Sequence, residues 1–465
     1  MKNILPALLL VLFSVMQSKA QTKNLWASAT TGGAYGFGTI LKGDSDGTNF
    51  TVVHSFDSVN GSYPIGKMAM AGNGIVYCIT ELGGCQDSCT ICCYNPATDS
   101  FSMINQFFLD VQEGGVPYSG VITGSNGLLY GTTTEGGANS DGTIYTIDPT
   151  TNTHTDVYDF NEAAGTGFNP LSEMVQASDG NMYGIAVGDG GESAVLYSFN
   201  PSDNNYVALY NLGVAYIYTG YNLALYHAPN LLQATDHKIY GLFSNAATGN
   251  ALFSYDLTSG TYTSLHVFSS TDGIPLGSMV QAGNGLIYGT TIDSVGTGNG
   301  KIFSYDPASA TFTGLRTFDS TTGFCVVGGL GTYGNTKIIG STLQGGLYQY
   351  GTLFTYDFTT GAYADIFDFD STTTGAGPLC DVLKTGFKTT TGIPVIANAP
   401  LHIFPNPASD VLYIQNGQPD APFSITNALG QQVSKGVLTG NRQALDISQL
   451  PAGAYLINKV GFVKE

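Results

Sequence analysis

The sequence predicts an all-β protein, a seven-bladed propeller of four-stranded blades followed by a small β-sandwich, and three observations lead there. Glycine fills 62 of 465 positions, about twice the usual share, while only 11% of residues are charged. An aromatic residue returns at Trp26, Tyr77, Tyr130, Tyr183, Tyr240 and Tyr288, with Ile339 in the same place, at spacings of 51, 53, 53, 57, 48 and 51 residues. Each interval holds four short β-forming runs punctuated by Gly, Asn-Gly or Asp-Pro, the pattern of a propeller blade rather than of a helical solenoid. With 43% hydrophobic residues, 28 Tyr and 25 Phe, the chain has the apolar surface for a core, which excludes disorder.

Residues 1–20 read as a signal peptide. Lys2 supplies the positive charge, Ile4 to Met16 is apolar apart from Pro6 and Ser14, and Ser18-Lys19-Ala20 presents small residues for cleavage after Ala20. The run is too short for a membrane-spanning helix, which needs about 20 apolar residues. Gln21 stands where a lipoprotein has Cys. The mature chain is therefore expected in an oxidising compartment, without a transmembrane segment.

Within one unit the runs are "GSMVQA", then "LIYGTT" after "GNG", then a "GTIYTIDP"-like and a "TFTGLRTF"-like strand. Their alternation suits sheets packed face to face. Asn95, Asp148 and Asp306, each before Pro, read as turn formers. Trp26 opens on the second strand of a unit that lacks a first, whereas Gly377 to Lys384 is a first strand with no unit after it. Pairing the two completes the seventh blade, closes a ring over residues 21–392 and removes the open sheet edges. This strand order is similar to that of kelch propellers. The succession "YGTT", "GG", "IFSYDP" and a closing Phe resembles more closely the tandem GloVer repeats of bacterial surface and secreted proteins. That resemblance implies an architecture and brings no shared catalytic residue.

Residues 393–400 read as a linker, inside a Thr-, Gly- and Pro-containing stretch, Lys388 to Pro400, where cleavage is expected. From Leu401 the pattern changes. A rigid turn at Pro405-Asn406-Pro407 leads through Ser409-Asp410 to a strand at Val411–Ile414. A turn at Ala428-Leu429-Gly430 follows, and Pro451-Ala452-Gly453 precedes a strand at Ala454–Ile457. These segments closely resemble the type A C-terminal sorting domain of the type IX secretion system. The matching residues are Pro405, Asn406, Pro407, Ser409, Asp410 and Gly430, then Leu445, Asp446, Ile447, Ser448, Leu450, Gly453 and Tyr455. The resemblance implies an outer-membrane translocon and a sortase as partners, surface lipopolysaccharide as an attachment point, and a secreted or cell-surface location.

Fifteen basic residues against 34 acidic give a net charge of −19, which argues against a nucleic-acid partner. Residues 393–465 hold four basic and four acidic side chains, so the acid excess lies in the repeat region and favours neutral glycans, proteins or cationic surfaces. Cys85, Cys89, Cys92 and Cys93 crowd one segment, "GGCQDSCTICCYNP", which reads as a loop. The first three have the spacing of the radical SAM iron-sulfur motif, but those enzymes use a cytosolic α/β barrel. Export favours disulfides over zinc here, with connectivity open. Cys78, Cys325 and Cys380 bring the total to seven, and Cys325 and Cys380, near the first strands of adjacent blades, are candidates to bond to each other.

No cofactor is implied beyond a partial Ca²⁺-loop likeness in "GDSDGTN" from Gly43, which lacks a distal Glu. His54, His266 and Arg316 each precede a closing Phe by two positions in different units, so they form no common site. No Ser-His-Asp order, His-x-x-x-His pair or phosphate loop appears, and nothing singles out a carboxylate pair for glycoside hydrolysis. The links after the second and fourth strands are the long ones and share one face of the disc, the natural binding face. Two unusual loops belong there: residues 83–93, and 211–230 with Tyr216, Tyr218, Tyr221, Tyr226 and His227, whose rings suit sugar stacking or protein anchoring as well as packing on their own blade. The expected function is a non-enzymatic surface propeller that binds a glycan or protein. The alternatives are an extracellular polysaccharide hydrolase or lyase and a structural surface-layer component.

Overall fold

The fold is that of a computed structural model. It describes residues 24–44, 47–83, 89–107, 114–117, 119–170, 172–186, 193–214, 231–245, 249–292, 299–379, 382–385, 402–404, 407–415, 422–427, 431–437, 442–457 and 460–464. The chain forms two compact units, Met1–Phe387 and Lys388–Glu465. Among the described residues both are β-structure, with a 3-10 turn at Glu162–Ala164 and no α-helix.

In the first unit seven four-stranded antiparallel sheets follow one another among the described residues. The sixth shows the plan: Met279–Gln281, Ile287–Ile292, Gly300–Asp306 and Thr311–Thr317, hydrogen-bonded in chain order. The first sheet departs from it. Its strands Asn24–Ala29, Thr39–Asp44 and Thr51–Ser55 take their fourth member from the far end of the unit, where Leu383–Thr385 pairs with Asn24–Ala29 and sets Leu383 opposite Trp26. Two more hydrogen bonds fasten the same junction, Thr30 N to Gly377 O at 3.2 Å and Ala376 N to Thr31 O at 2.8 Å.

Second and third strands are mostly buried, as in Leu129–Thr133 and Ile144 to Ile147, whereas fourth strands such as Thr311–Thr317 are largely exposed. Strands covered on both faces need near-continuous apolar runs, which is why "LIYGTT" and "KIFSY" lack strict alternation. Buried side chains gather between successive sheets: Tyr77 and Ile79 meet Leu129 and Tyr145, and Tyr130 and Ile144 meet Met182 and Tyr197. A cluster of the same kind joins Leu25, Ala27 and Leu41 of the first sheet to Ile339 and Leu353 of the seventh.

The repeated Tyr-Gly of the second strand has a packing cause. Gly131, Gly184 and Gly289 lie opposite Tyr145, Tyr197 and Phe303. A Cβ on any of the three would come within 2.3 Å of that aromatic side chain, so only glycine lets the third-strand aromatic lie across the second strand. The Tyr before each glycine is tied to its own turn, with Asn126 and Asn284 donating to the hydroxyls of Tyr130 and Tyr288 at 2.7 and 2.9 Å, and Tyr183 donating to Asp179 at 2.7 Å. Gln176, Gln233 and Gln281 then staple neighbouring sheets, each side-chain oxygen accepting from the preceding sheet's turn at Ser125 N, Ser178 N and Thr235 N, at 2.7, 2.8 and 2.8 Å.

Asn95, Asp148 and Asp306 are turn formers, accepting from Ala97 N, Thr150 N and Ala308 N at 2.8 to 2.9 Å. The cysteine-rich segment is only partly a loop, contrary to the sequence reading. Cys89, Cys92 and Cys93 lie in the strand Cys89–Asn95, and Cys92 faces Cys78 across the sheet. The β-forming pair Thr90 and Ile91 between the cysteines carries the strand through them.

The second unit has a three-stranded sheet, His402–Phe404, Val411–Gln415 and Arg442–Asp446, and a four-stranded one, Gln432–Val437, Pro422–Asn427, Gly453–Ile457 and Val460–Lys464. Leu412, Ile414, Ile425, Leu445, Ile447, Tyr455 and Ile457 form its core. Gly453–Ile457 and Val460–Lys464 close as a terminal hairpin, with Tyr455 opposite Phe462.

Candidate binding surface

Loops after second strands accept hydrogen bonds from the chain that follows fourth strands. Tyr63 N donates to Phe37 O at 2.9 Å, Asn169 N to Asp141 O at 3.1 Å and Gly377 N to Tyr350 O at 3.0 Å. In each case the donor residue precedes a proline, Pro64, Pro170 or Pro378, and has a positive φ, of 56°, 46° and 65° for Tyr63, Asn169 and Gly377.

The loops after the second strands of the first, third and seventh sheets share one backbone. Each carries Gly-Gly, at 32–33, 136–137 and 345–346, and is closed from Gly38 N to Gly32 O, Gly142 N to Gly136 O, and Gly351 N to Gly345 O, at 2.9 to 3.1 Å. The second glycines have φ of 77°, 75° and 78°, and a Cβ there would lie 2.4 to 2.7 Å from the methyls of Thr39 and Thr143 and 2.3 Å from that of Thr352. Asp159 and Asp368 of the fourth strands anchor two of these loops, accepting from Ala138 N at 2.8 Å and Leu347 N at 2.7 Å. This rigid frame is loaded differently in each sheet. The third presents Ala138, Asn139 and Ser140, the first Ala34 and Tyr35, and the seventh Leu347, Tyr348 and Tyr350. Tyr35 is 63% exposed, Leu347 73%, Tyr348 52% and Tyr350 45%. The first and seventh loops flank one segment, since Gly33 N donates to Ser371 O at 2.8 Å and Gly377 N to Tyr350 O. Sequence reading passed over these aromatics because the Gly-Gly was taken as a repeat marker, although Tyr two residues beyond it was the available signal.

Tyr216, Tyr218, Tyr221, Tyr226 and His227 lie outside the described residues, on the connection between Asn205–Val214 and Leu231–Gln233. His54, His266 and Arg316 do not converge. His54 stacks on Phe101 of the next sheet at 3.5 Å between centroids, His266 on Phe312 at 3.7 Å, and the Arg316 guanidinium sits 4.0 Å over the Tyr363 ring. Tyr158 on Tyr206 and Tyr210 on Tyr262 repeat the arrangement at 4.5 and 4.2 Å. These planar groups fasten fourth strand to fourth strand and are thereby occupied in structure.

Cys89, Cys92 and Cys93 form no disulfide in the structure. Cys89 Sγ donates to Glu81 O at 2.9 Å, and Cys92 Sγ lies 3.2 Å from Thr90 Oγ1 and 3.3 Å from Asn60 O. Burial pushes the Cys89 thiol up to about 12 and the Cys93 thiol up to about 11, which suits neither thiolate ligation nor exchange. Cys85 and Cys380 lie outside the described residues, while Cys325 is buried in a cluster that includes Leu379. No group of three His, Cys, Asp or Glu among the described residues is placed to hold a metal. In the Ca²⁺-like run Asp44 accepts from Asn49 Nδ2 at 2.8 Å, and Asp46 is outside the described residues.

In the second unit Asp410 Oδ1 lies 3.7 Å from Nζ of the buried Lys464, and Ala408 N donates to Val463 O at 2.8 Å. The segment around Ser409 and Asp410 thus grips the final strand. Asp446 accepts from Ser448 N at 2.9 Å, Leu450 N donates to Ile447 O at 3.0 Å, and the Tyr455 hydroxyl donates to Pro451 O at 2.8 Å beside Gly453. Pro407 is exposed, and Pro405, Asn406 and Gly430 lie outside the described residues.

The Gloeobacter/Verrucomicrobia repeat matches residues 73–274 and again 214–392, more than half of the chain. The chain belongs to this repeat family. Residues 402–460 of this Gloeobacter/Verrucomicrobia repeat protein match the secretion system C-terminal sorting domain, which marks it for export by type IX secretion to the cell surface or extracellular space and implies interaction with that machinery. No curated protein matches it in sequence. Similar solved structures include the periplasmic gluconolactonase PpgL of Pseudomonas aeruginosa, at 13% identity over 78% of this chain and 99% of that one, TM-score 0.52. A candidate 6-phosphogluconolactonase of Bacteroides uniformis is similar at 12% identity over 79% and 100%, TM-score 0.51. TolB of Acinetobacter baumannii matches at 16% identity and TM-score 0.39, and the repeat protein spans 62% of its length. At these identities the likeness to the two lactonase structures is one of propeller-like fold. No helix among the described residues is long and apolar enough to cross a membrane.

Proposed function

We propose that the protein is a non-enzymatic surface propeller, seven blades closed into a ring, that binds a glycan or protein through the face carrying its long loops. The signal peptide of residues 1–20 takes it to the periplasm, and residues 401–465 then direct it through the type IX translocon. A sortase cuts near the 393–400 linker and joins the propeller of residues 21–392 to surface lipopolysaccharide or releases it. Support for the closed ring comes from the pairing of Leu383–Thr385 with Asn24–Ala29 and from the apolar cluster between the first and seventh sheets. The observation that carries the binding role is the pair of rigid Gly-Gly loops holding Tyr35, Leu347, Tyr348 and Tyr350 in solvent. Large apolar rings held out on a pre-ordered loop lose little entropy on docking.

Two of the long-loop carboxylates, Asp319 and Asp370, lack the raised pKa of a glycosidase acid. The Thr321 hydroxyl and the Thr322 and Thr321 N–H groups hold Asp319 below the usual carboxylate range. Asp370 is partly buried, yet the N–H groups of Thr374 and Thr373 hold it below that range too. A glycosidase needs an acid shifted the other way. The test is to incubate the purified protein with polysaccharides and with surface proteins, and to follow retention and chain length together. Retention without shortening is expected, and steady release of oligosaccharide would contradict the binding role.

A further inference from the structure

We infer that the Gly-Gly loops of the first and seventh sheets form one docking platform for a neutral polysaccharide, a reading that rests on the long-loop face being the binding face. Three features select that ligand class. First, residues 30–39 and 343–352 contain no charged side chain. The nearby carboxylate of Asp368 accepts from Leu347 N at 2.7 Å, and that of Asp370 from Thr373 N and Thr374 N, both at 2.8 Å. Loops free of basic side chains on a protein of net charge −19 disfavour polyanions.

Second, the exposed residues are chiefly tyrosines, which combine a flat apolar face for the C–H side of a sugar ring with a hydroxyl for its rim. The backbone that carries Tyr348 and Tyr350 is ordered before binding. Tyr350 O accepts from Gly377 N, and Gln349 Nε2 donates to Gly346 O at 2.7 Å, which locks the turn that carries Tyr348 and Tyr350. Third, among the described residues the platform takes in the loops of two sheets, the first and the seventh, while the equivalent loop of the third offers Ala138, Asn139, Ser140 and Asp141. That suits a short stretch of sugar chain better than a stable protein partner, which takes about 800 Å² on each side.

The test uses the protein as exported, in affinity electrophoresis through gels containing β-glucan, xylan or mannan, with pectate as the anionic comparator. At least one neutral polysaccharide should retard the protein. The combined variant Tyr35→Ala, Tyr348→Ala and Tyr350→Ala should lose about tenfold in affinity, as expected for several aromatic contacts removed together. The matching Tyr→Phe variant should keep most of the retardation, and Val267→Ala, on an outer strand, should keep all of it. An unchanged melting temperature in each variant shows that the loops still fold. Retardation by pectate alone, or by none of these gels, overturns the neutral-polysaccharide assignment. Binding that survives the triple alanine variant but is lost on changing Tyr216, Tyr218 and Tyr221 overturns the placement and leaves the long-loop face in place. Binding lost only on changing Thr150 or Thr359, in turns after third strands, overturns both.

Discussion

The imidazole of His54 lies flat on the ring of Phe101, with centroids 3.5 Å apart and planes within 8°. His54 closes the first sheet and Phe101 opens the fourth strand of the second, so the contact joins sheets rather than strands. Phe56 packs edge-on against both rings, at 4.9 Å from His54 and 5.5 Å from Phe101. A group held this way is favoured while neutral, and burial pushes the His54 pKa down to about 4 against the pull of Asp57.

That shift gives a pH dependence with a defined sign. The unfolded chain takes up a proton near pH 6.5 and the folded chain only near 4. The contribution of His54 is therefore complete above about pH 6.5 and is lost as pH falls through that window. Thermal melts from pH 7.5 to 4 should show a decline that is smaller in His54→Phe, which keeps the stack without the titration. An identical decline in both proteins would show that this histidine does not contribute.

The Gly-Gly loops make a second prediction, on stability. At Gly346 an added methyl meets Thr352 Cγ2 at 2.3 Å in a backbone with φ of 78°, so Gly346→Ala should cost about 1–3 kcal/mol. Gly314, with nothing within 4 Å of a built Cβ and no positive φ, serves as the comparison. Gly314→Ala should be neutral or slightly stabilising in denaturant unfolding. Equal midpoints for the two variants would remove the claim that the loop frame is glycine-dependent.

Much of the first unit was legible because its signals are local. The interval from Tyr77 to Tyr130 to Tyr183 reports a strand that must bury the same side chain in each sheet, and the missing first strand before Trp26 points to its complement at Gly377. The stacking groups were not legible as a set. His54, Tyr158, His266 and Arg316 share planarity and no other chemistry, and their partners stand one sheet further along the chain. The cysteines misled for a related reason. A dense run of Cys suggests a cross-linked loop, whereas Cys89 to Cys93 alternates between two sheet interfaces, with Cys89 and Cys93 in one cluster and Cys92 in the other.

Those cysteines are open to direct measurement. Cys89 and Cys93, buried and with raised pKa values, should resist alkylation at pH 8 in the native protein and react promptly in denaturant. Peptide mapping after differential labelling separates them from Cys325 and Cys380, the pair that the sequence offers as a disulfide. Labelling of Cys325 in the denatured, unreduced protein would exclude that bond.

Export is the property on which the functional account stands, and deletion tests it most directly. A chain lacking residues 400–465 retains every sheet of the first unit and loses the segment matched to the sorting domain. Cell fractionation should find this truncation folded in the periplasm and absent from the surface and the medium, with the full-length protein at the surface or released. Surface display of the truncation at the full-length level would contradict the account.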